Sequence, residues 1–430
     1  MEDGTRAAVL EEAQAELGRL WEEVVGAATL ELEAAEGAVR ERVLAIGARV
    51  LEAGIAARGT GKAGPRRTCP CGGEGGCEGY RRKQVQTVLG WVTVRRAYYA
   101  CAACGHGQCP LDAALGLARD SVSPGVRRLA GRFGARQPFA TAADDLAASA
   151  AAVRLSPSTV RTITEAAGAR REREMAAAIA AAWEAGLPPA PGAAPDRLSV
   201  AMDGVFIVGR DGSGREIKVG VVVPVRGTGA SERRAGASYA AGLESAAAFG
   251  PRLALEAHRR GLEGAREVAV LGDGAAWIWA LADEYFPGAL QIVDWFHASE
   301  RIWDLGRALY GAETPATTAW AEAQLARLRQ GEVVTLAAEW AALACRGEAV
   351  AIRDEQVTYF TNQASRMAYD QYRAAGWDIG SGMVESACKH LIAAREKGAG
   401  MRWSDAGAHT VAAVRVLLAN DQWDSYDLAA

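Results

Sequence analysis

No run of apolar residues in this 430-residue chain approaches the ~20 that a membrane-spanning helix needs, so no membrane partner is expected. Met1 leads into acidic residues and not into the basic start of a signal peptide, which predicts a cytoplasmic protein. Cysteine is scarce outside one stretch: six of the eight lie between Cys69 and Cys109. In a reducing compartment such crowding reads as metal binding before disulfides. Neither sign of charge dominates, and the net charge of -4 with a pI near 5.9 excludes a uniformly basic nucleic-acid coat. Any contact with nucleic acid must then come from local patches. Half of the residues are apolar, and the length suits two or three domains with a large core.

The stretch 268–297 organises the rest. Val268, Ala269, Val270 and Leu271 form an apolar run too short for a helix and suited to a buried strand. Asp273 follows, between Gly272 and Gly274, whose missing side chains would let a backbone, an ion or a phosphate approach the carboxylate. A helical pattern with Ile278, Leu281 and Tyr285 on one side ends at Pro287 and Gly288, and a second strand, 290–293, delivers Asp294 and His297. A lone Asp-Gly after a strand is ordinarily only a turn. Here it has company: the strand 198–202 ends in Asp203-Gly204, and 380–385 opens a helix with Ser381 as N-cap and Glu385 in its first turn. Two strand-end aspartates and a helix-borne glutamate form a cage for two divalent metals, a set suited to phosphodiester chemistry.

Upstream, residues 2–57 are helical, with Leu10, Ala13, Leu17, Trp21 and Val24 at helical spacing. This stripe is a candidate dimer seam, or else packs on the chain's own body. After a linker at 58–67, Cys69-Pro-Cys71 and Cys101-Ala-Ala-Cys104 bracket a β-hairpin, the pattern of a zinc ribbon. The first knuckle is irregular, so Cys77 is an alternative ligand and Cys109 a spare. Arg81, Arg82, Lys83, Arg95 and Arg96 are expected to make a cationic face for phosphates, a solvated surface being the plainer reading. Residues 139–152, a turn at 154–159 capped by Ser156 or Ser158, and 160–169 read as a helix-turn-helix, with Arg161 near the start of the second helix. A helical spacer at 172–183 and the Pro-rich linker 186–192 lead into the acidic strands.

Several ordered motifs carry a resemblance: RRAYYAC (95–101), PLDAALGL (110–117), MDGVFI and GREIKVGVV (202–222), LGDGAAWIW (271–279), IVDWFHASERIW (292–303), and IGSGMVESACK through GMRWS (379–404). The chain resembles bacterial insertion-sequence transposases of the ISKra type, relatives of the Mutator-like transposases with a DDE catalytic core. The resemblance implies a multidomain α/β protein. An N-terminal helical region and linker (1–67), a zinc-ribbon-like module (68–117) and a helix-turn-helix region with linker (118–192) precede an RNase H-like core (193–430), interrupted by a helical insertion at about 298–376. Asp203, Asp273 and Glu385 become the catalytic triad holding Mg²⁺ or Mn²⁺, with Asp294 and His297 as auxiliary residues in an acid-x-x-His motif. In such a core the first strand is central and the first two acids face each other. The carboxyl end, 426–430, lacks the aromatic finish that the family leads one to expect.

The implied activity is cleavage of element ends and joining of their 3′ hydroxyls to target DNA. Partners are terminal inverted repeats, target DNA and further copies of the chain. Lys389, Arg395, Lys397 and Arg402 are candidates for holding DNA beside the acids, although any of them can be a solvated helix charge. Trp295, Trp403 and Cys388 are read as packing residues, and His297 as a hydrogen-bonded structural histidine before a proton carrier. A non-catalytic DNA-binding regulator descended from such an enzyme, and a metal-dependent nuclease without strand transfer, are the alternatives.

Overall fold

A computed structural model of the chain describes residues 2–26, 29–117, 121–149, 153–186, 194–226, 233–234 and 236–427. The expected linker at 187–192, the end of the helix expected at 139–152 and the last three residues lie outside the described residues. The chain is mixed α/β, with two sheets and many helices, and divides into two compact units: Met1–Ala167 with Trp423–Ala430, and Gly168–Gln422.

In the first unit, α1 (Glu2–Val25) and α2 (Leu32–Ala57) pack as a helical pair, with Arg42 reaching Glu16 at 3.0 Å and Glu23 at 3.3 Å. Leu20 turns inward, but Leu10, Leu17 and Trp21 stay open to solvent, Trp21 at 66%. Their stripe is therefore not packed on the described body of this chain. Strands β1 (Arg66–Thr68), β2 (Glu74–Thr87), β3 (Gly90–Cys101) and β4 (Gly107–Gln108) form an antiparallel sheet in that order, followed by the short α3 (Pro110–Ala114). Val85, Val92 and Val94 alternate onto its inner face against Ala48 of α2 and Leu111 of α3.

Three helices complete the unit: α4 (Pro124–Arg136), α5 (Phe139–Ala148) and α6 (Pro157–Ala185). Val126, Ala130, Leu146, Val160 and Ile163 form their shared core. A Cβ on Gly134 would stand 2.2 Å from the Thr164 hydroxyl, so α4 and α6 can approach only at glycine. Ser156 supplies the helix cap, its Oγ accepting from the Thr159 amide at 3.1 Å. The second helix is far longer than the 160–169 read from sequence: it absorbs the expected spacer and continues into the second unit. Alanine-rich sequence with no Gly-Pro break gives no reason to stop. The tail returns to this unit, where Trp423 and Tyr426 are buried and stacked, with both carbonyls accepting from Arg128.

The second unit is built on β5 (Arg197–Val208), β6 (Gly214–Arg226), β7 (Arg233–Arg234), β8 (Ser238–Gly242), β9 (Glu267–Gly272) and β10 (Leu290–Val293). The order is β10-β9-β5-β6-β7, with β8 also pairing β6. β5 runs parallel to β9 and β9 to β10, whereas β6 is antiparallel to β5 and β8. Leu198, Val200 and Met202 on central β5 are fully buried, each worth about 1.5–3 kcal/mol of burial.

Helices α7 (Ala246–Arg259) and α8 (Ala276–Tyr285) pack together beside the sheet. After α9 (Trp295–Tyr310) come α10 (Pro315–Leu328), α11 (Val333–Ala341), α12 (Glu348–Gln363) and α13 (Tyr369–Ala374), all within the expected insertion. The closing segment is α14 (Gly382–Ala387), a π-helical turn (Cys388–Ala393), α15 (Ala394–Glu396) and α16 (Asp405–Ala419). A buried ionic network ties α6 into this unit. Arg252 of α7 makes a two-pronged contact with Glu172 at 3.0 and 2.6 Å, and His409 of α16 meets the same carboxylate at 2.7 Å.

Candidate active site and metal-binding cluster

Parallel pairing places three acids in a row. Ala201 of β5 lies opposite Leu271 of β9, and Val293 of β10 opposite Gly272. Two residues past Ala201 and Leu271 come Asp203 and Asp273, and one residue past Val293 and Gly272 come Asp294 and Asp273. Neighbouring parallel strands lie about 4.8 Å apart, so all three acids sit level across the sheet. β9 and β10 end there, but β5 runs on to Val208 with Asp203 paired to Val219 of β6, so the strand end expected at Asp203 lies inside the strand. Asp203 Oδ1 accepts from the Gly204 amide at 2.7 Å, and Asp273 Oδ1 from the Ala275 amide at 2.8 Å. Burial, and then the charge of Asp273, push the Asp203 carboxyl above the usual range.

The glycines beside Asp273 are not open approaches. The backbone at Gly274 has a φ of 101°, and a Cβ there would strike the ring of Tyr359; at Gly272 it would strike Ile278. This corrects the expectation of free space on both sides. Tyr359 of α12 instead donates its hydroxyl to the Asp273 carbonyl at 2.6 Å, and Gln363 donates to the Gly274 carbonyl at 3.0 Å. Nothing in the sequence announces these contacts, since they link positions 86 and 89 apart.

Asp294 is committed to holding structure. It caps α9, its carboxylate accepting from the Phe296 and His297 amides, and Oδ1 also accepts from the Ser381 amide at 2.7 Å. Its own amide donates to Gly272, and the Trp295 amide to Ile379, so one residue joins β9, α9 and the segment that opens α14. Oδ2 meets His297 Nδ1 at 2.6 Å. Burial works against the Asp294 charge, but His297 and the Ser381 donors outweigh it, and its pKa falls. The hydrogen bond to Asp294 raises the pKa of His297 against its burial, with smaller contributions from the charges of Asp294, Asp273 and Asp203. His297 is thus a hydrogen-bonded histidine that also stands in the field of the acid row. It opens a cleft of about 600 Å³ between α9 and α12, lined further by Glu300, Arg301 and Glu355.

Glu385 lies in the first turn of α14, which packs on β5 and β6. Ser381 precedes it at the cap position without a side-chain cap bond, the expected role being replaced by the anchoring of its amide to Asp294. The Glu385 carboxylate is half exposed and pairs with Lys389 at 2.5 Å. Just beyond it Cys388, in the π-helical turn, donates its thiol to Asp203 Oδ2 at 3.4 Å. A π turn inserts one residue into the helical repeat and re-aims the side chains that follow. Burial, then the Asp203 charge, raise the Cys388 pKa. Cys388 is therefore a contact of the candidate site and not packing alone. Among the described residues only the four cysteines gather as a close set of three or more metal-ligating side chains, so the expected three-acid cage is not closed in this arrangement.

The cysteine cluster is closed. Cys69, Cys71, Cys101 and Cys104 bring their sulfurs within 4.8 Å of one another, with Cys69 to Cys104 at 3.6 Å and Cys71 to Cys101 at 3.7 Å. Four sulfurs at ~2.3 Å from one zinc ion stand about 3.8 Å apart in a tetrahedron, so the cluster can hold a metal such as zinc. The amides of Cys104 and Ala103 lower the Cys101 thiol. The irregular first knuckle closes because Cys69 takes the Gly73 carbonyl while Gly72, at φ 85°, donates back to Cys69. Cys77 lies on β2 against the Gly79 carbonyl and Cys109 caps α3; neither joins the cluster.

The candidate DNA-contact residues are not one face. In the hairpin Arg82 opposes Arg95, and Arg81 opposes Arg96. Because side chains alternate, the two pairs point to opposite sides. Arg96 is tied to Asp112 at 2.5 Å, Arg81 stacks 3.3 Å from the Tyr98 ring centre, and Lys83 shares their side. Arg395 is buried against Trp403 and Met401, so it offers no guanidinium to a DNA surface here. Arg161, Lys397 and Arg402 are exposed, and Lys389 is exposed while paired with Glu385.

Fold and site together define a mixed α/β protein with three aspartates level across neighbouring parallel strands and a four-cysteine cluster that could hold a metal such as zinc. The chain belongs to Uncharacterised protein family UPF0236, which matches residues 76–423. No curated protein matches it in sequence. Among the described residues no helix is long and apolar enough to cross a membrane.

Proposed function

We propose that the protein is a DNA transposase of the insertion-sequence DDE type. It would cleave element ends and join the 3′ hydroxyls to target DNA, with Asp203, Asp273 and Glu385 holding Mg²⁺ or Mn²⁺. The observation that carries this reading is the level placement of Asp203 and Asp273 on neighbouring parallel strands, with the Glu385 segment packed on the same strand as Asp203. An RNase H-like core is supported by the central first strand, its antiparallel hairpin partner on one side and its parallel neighbour on the other. Carboxylate oxygens are hard donors and suit Mg²⁺ or Mn²⁺ before softer metals. When bound, two such ions activate the attacking oxygen and stabilise the leaving oxygen of a phosphodiester.

The protein's own groups prepare the site. Asp294 fixes the approach to α14, and Tyr359 and Gln363 hold the Asp273 turn. Glu385 has to leave Lys389 to join the other acids, which makes closure dependent on cation and substrate. Zinc is assigned a structural part. The helix-turn-helix and exposed basic residues would hold the element's inverted repeats and target DNA. The open Leu10, Leu17 and Trp21 stripe suits assembly of copies on DNA, in the cytoplasm.

Incubation with terminal-repeat DNA, a target plasmid and Mg²⁺ tests the reading. Joined products support it, cleavage without joining indicates a nuclease, and sequence-selective binding without either indicates a regulator.

A further inference from the structure

The β2–β3 hairpin has two unlike sides. On the inner side, valines enter the core and Arg96 has its carboxylate. On the outer side Arg82 and Arg95 stand directly opposite one another, and both are exposed. Like charges directly opposed across a pair of strands are unfavourable unless something offsets them. Among the described residues neither arginine has a carboxylate within ion-pair distance, in contrast to Arg96 just behind them. Tyr80 lies beside the pair, 44% exposed, with the Arg95 guanidinium 4.1 Å and the Lys62 ammonium 6.0 Å from its ring centre. Lys62 comes from the segment between α2 and β1, so two separate stretches of chain bring cations to one spot. The neighbouring Glu52 is turned to the edge of β3, where it accepts from the Thr93 amide at 2.7 Å.

Three exposed cations around a tyrosine, two of them opposed without counter-charge, complement a polyanion. We propose that Lys62, Arg82 and Arg95 form a binding surface for the phosphate backbone of duplex DNA, read without regard to sequence, and that the inner-side Arg81, Lys83 and Arg96 have no part in it. The proposal rests on the DNA-acting reading above and adds the face and the mode of contact. A phosphate seated between Arg82 and Arg95 offsets their repulsion. Contacts to phosphates carry no sequence information, so the surface positions DNA and leaves selection to other elements. The ladder between the turn at 88–89 and the bulge after Cys77 keeps the opposed pair in register.

The test uses the full-length zinc-loaded protein and a labelled random-sequence duplex, with affinity measured across a salt series. Arg82→Gln with Arg95→Gln is expected to weaken binding roughly tenfold at low salt and to flatten the salt slope by about 1.8, the equivalent of two phosphate contacts. Arg81→Gln with Lys83→Gln removes the same charge from the other side and is expected to leave the slope unchanged. Equal losses from both pairs, or an unchanged slope in the first, would overturn the proposal. If the Gln pair loses zinc, Arg82→Lys with Arg95→Lys keeps the charge and is expected to retain the parent slope; loss of the slope with zinc retained overturns it too. Normal duplex binding with no joined products would defeat the transposase reading and leave this surface standing.

Discussion

The two groups of candidate metal ligands are built in opposite ways. Four cysteines meet through two tight turns at one end of a hairpin, and their sulfurs already lie within 4.8 Å of one another, two pairs of them at 3.6 and 3.7 Å. The carboxylates of Asp203, Asp273 and Glu385 come from two strands and a distant helix, and they are held short of closure, with Glu385 on Lys389 and Asp203 under the Cys388 thiol. A metal that holds a fold together benefits from ligands that cannot leave. On the proposed reading, ions that must admit a scissile phosphate need ligands that close around it.

The sharpest way to break this contrast is at the acids. Glu385→Gln, Asp203→Asn and Asp273→Asn are each expected to lower strand joining by orders of magnitude while folding and DNA binding survive, and any two together to cost little more than one. A joining assay with a melting scan checks this; parent-level joining by Glu385→Gln would remove the third acid from the proposal. Asp203→Asn is further expected to raise the melting temperature at neutral pH. Its carboxyl is raised in the folded state, so stability is lost as pH climbs from the ordinary Asp value through the raised one, and the amide removes the effect.

The cysteine cluster should respond in the reverse sense. Cys104→Ser is expected to lose bound zinc and unfold the hairpin, with the second unit still folded, as read by metal analysis and limited proteolysis. Full zinc content in that variant would reject the assignment. Acid is expected to release the metal, because the ligands must be thiolates.

A smaller effect separates positioning from chemistry at Asp294. Asp294→Asn removes the partner that raises His297, so the histidine's titration, followed by NMR, should shift down, and joining should fall roughly tenfold to a hundredfold, as for loss of an outer-shell orienting partner. The stability from this pair is fully present below pH ~6.5 and is lost as pH rises through the elevated folded pKa of His297. An unmoved titration would show that Asp294 does not govern the ring.

A stability effect outside both groups is expected at Glu396, which is buried, pushed up to about 8 chiefly by burial, and has no hydrogen-bond partner for either carboxylate oxygen among the described residues. Glu396→Gln should stabilise the protein at pH 9 and change little at pH 5, because the parent residue must charge only as pH passes its raised pKa. Equal melting temperatures at both pH values would place the side chain in water.

Sequence by itself determined the strand-end positions of Asp273 and Asp294, because short branched apolar runs that end in an acid have only buried strands open to them. Asp203, read in the same way, lies inside a strand that runs on to Val208 along its antiparallel partner. Sequence narrowed the cap to Ser156 or Ser158 and the cluster to a few cysteines with Cys77 still open as a ligand, and the structure chose Ser156 and the set Cys69, Cys71, Cys101 and Cys104. Sequence determined neither the length of α6 nor the division of the basic hairpin residues between two sides. That division follows from a strand register set by the turn at 88–89 and by a bulge after Cys77. Tertiary structure alone decided that Arg395 is buried, that Tyr359 occupies the space beside Gly274, that Cys388 touches Asp203, and that Trp423 and Tyr426 belong to the first unit. Each of these joins residues far apart along the chain or depends on which face of a helix meets the core. Hydrophobic period gives the existence of a face, and only packing against a particular neighbour gives its partner.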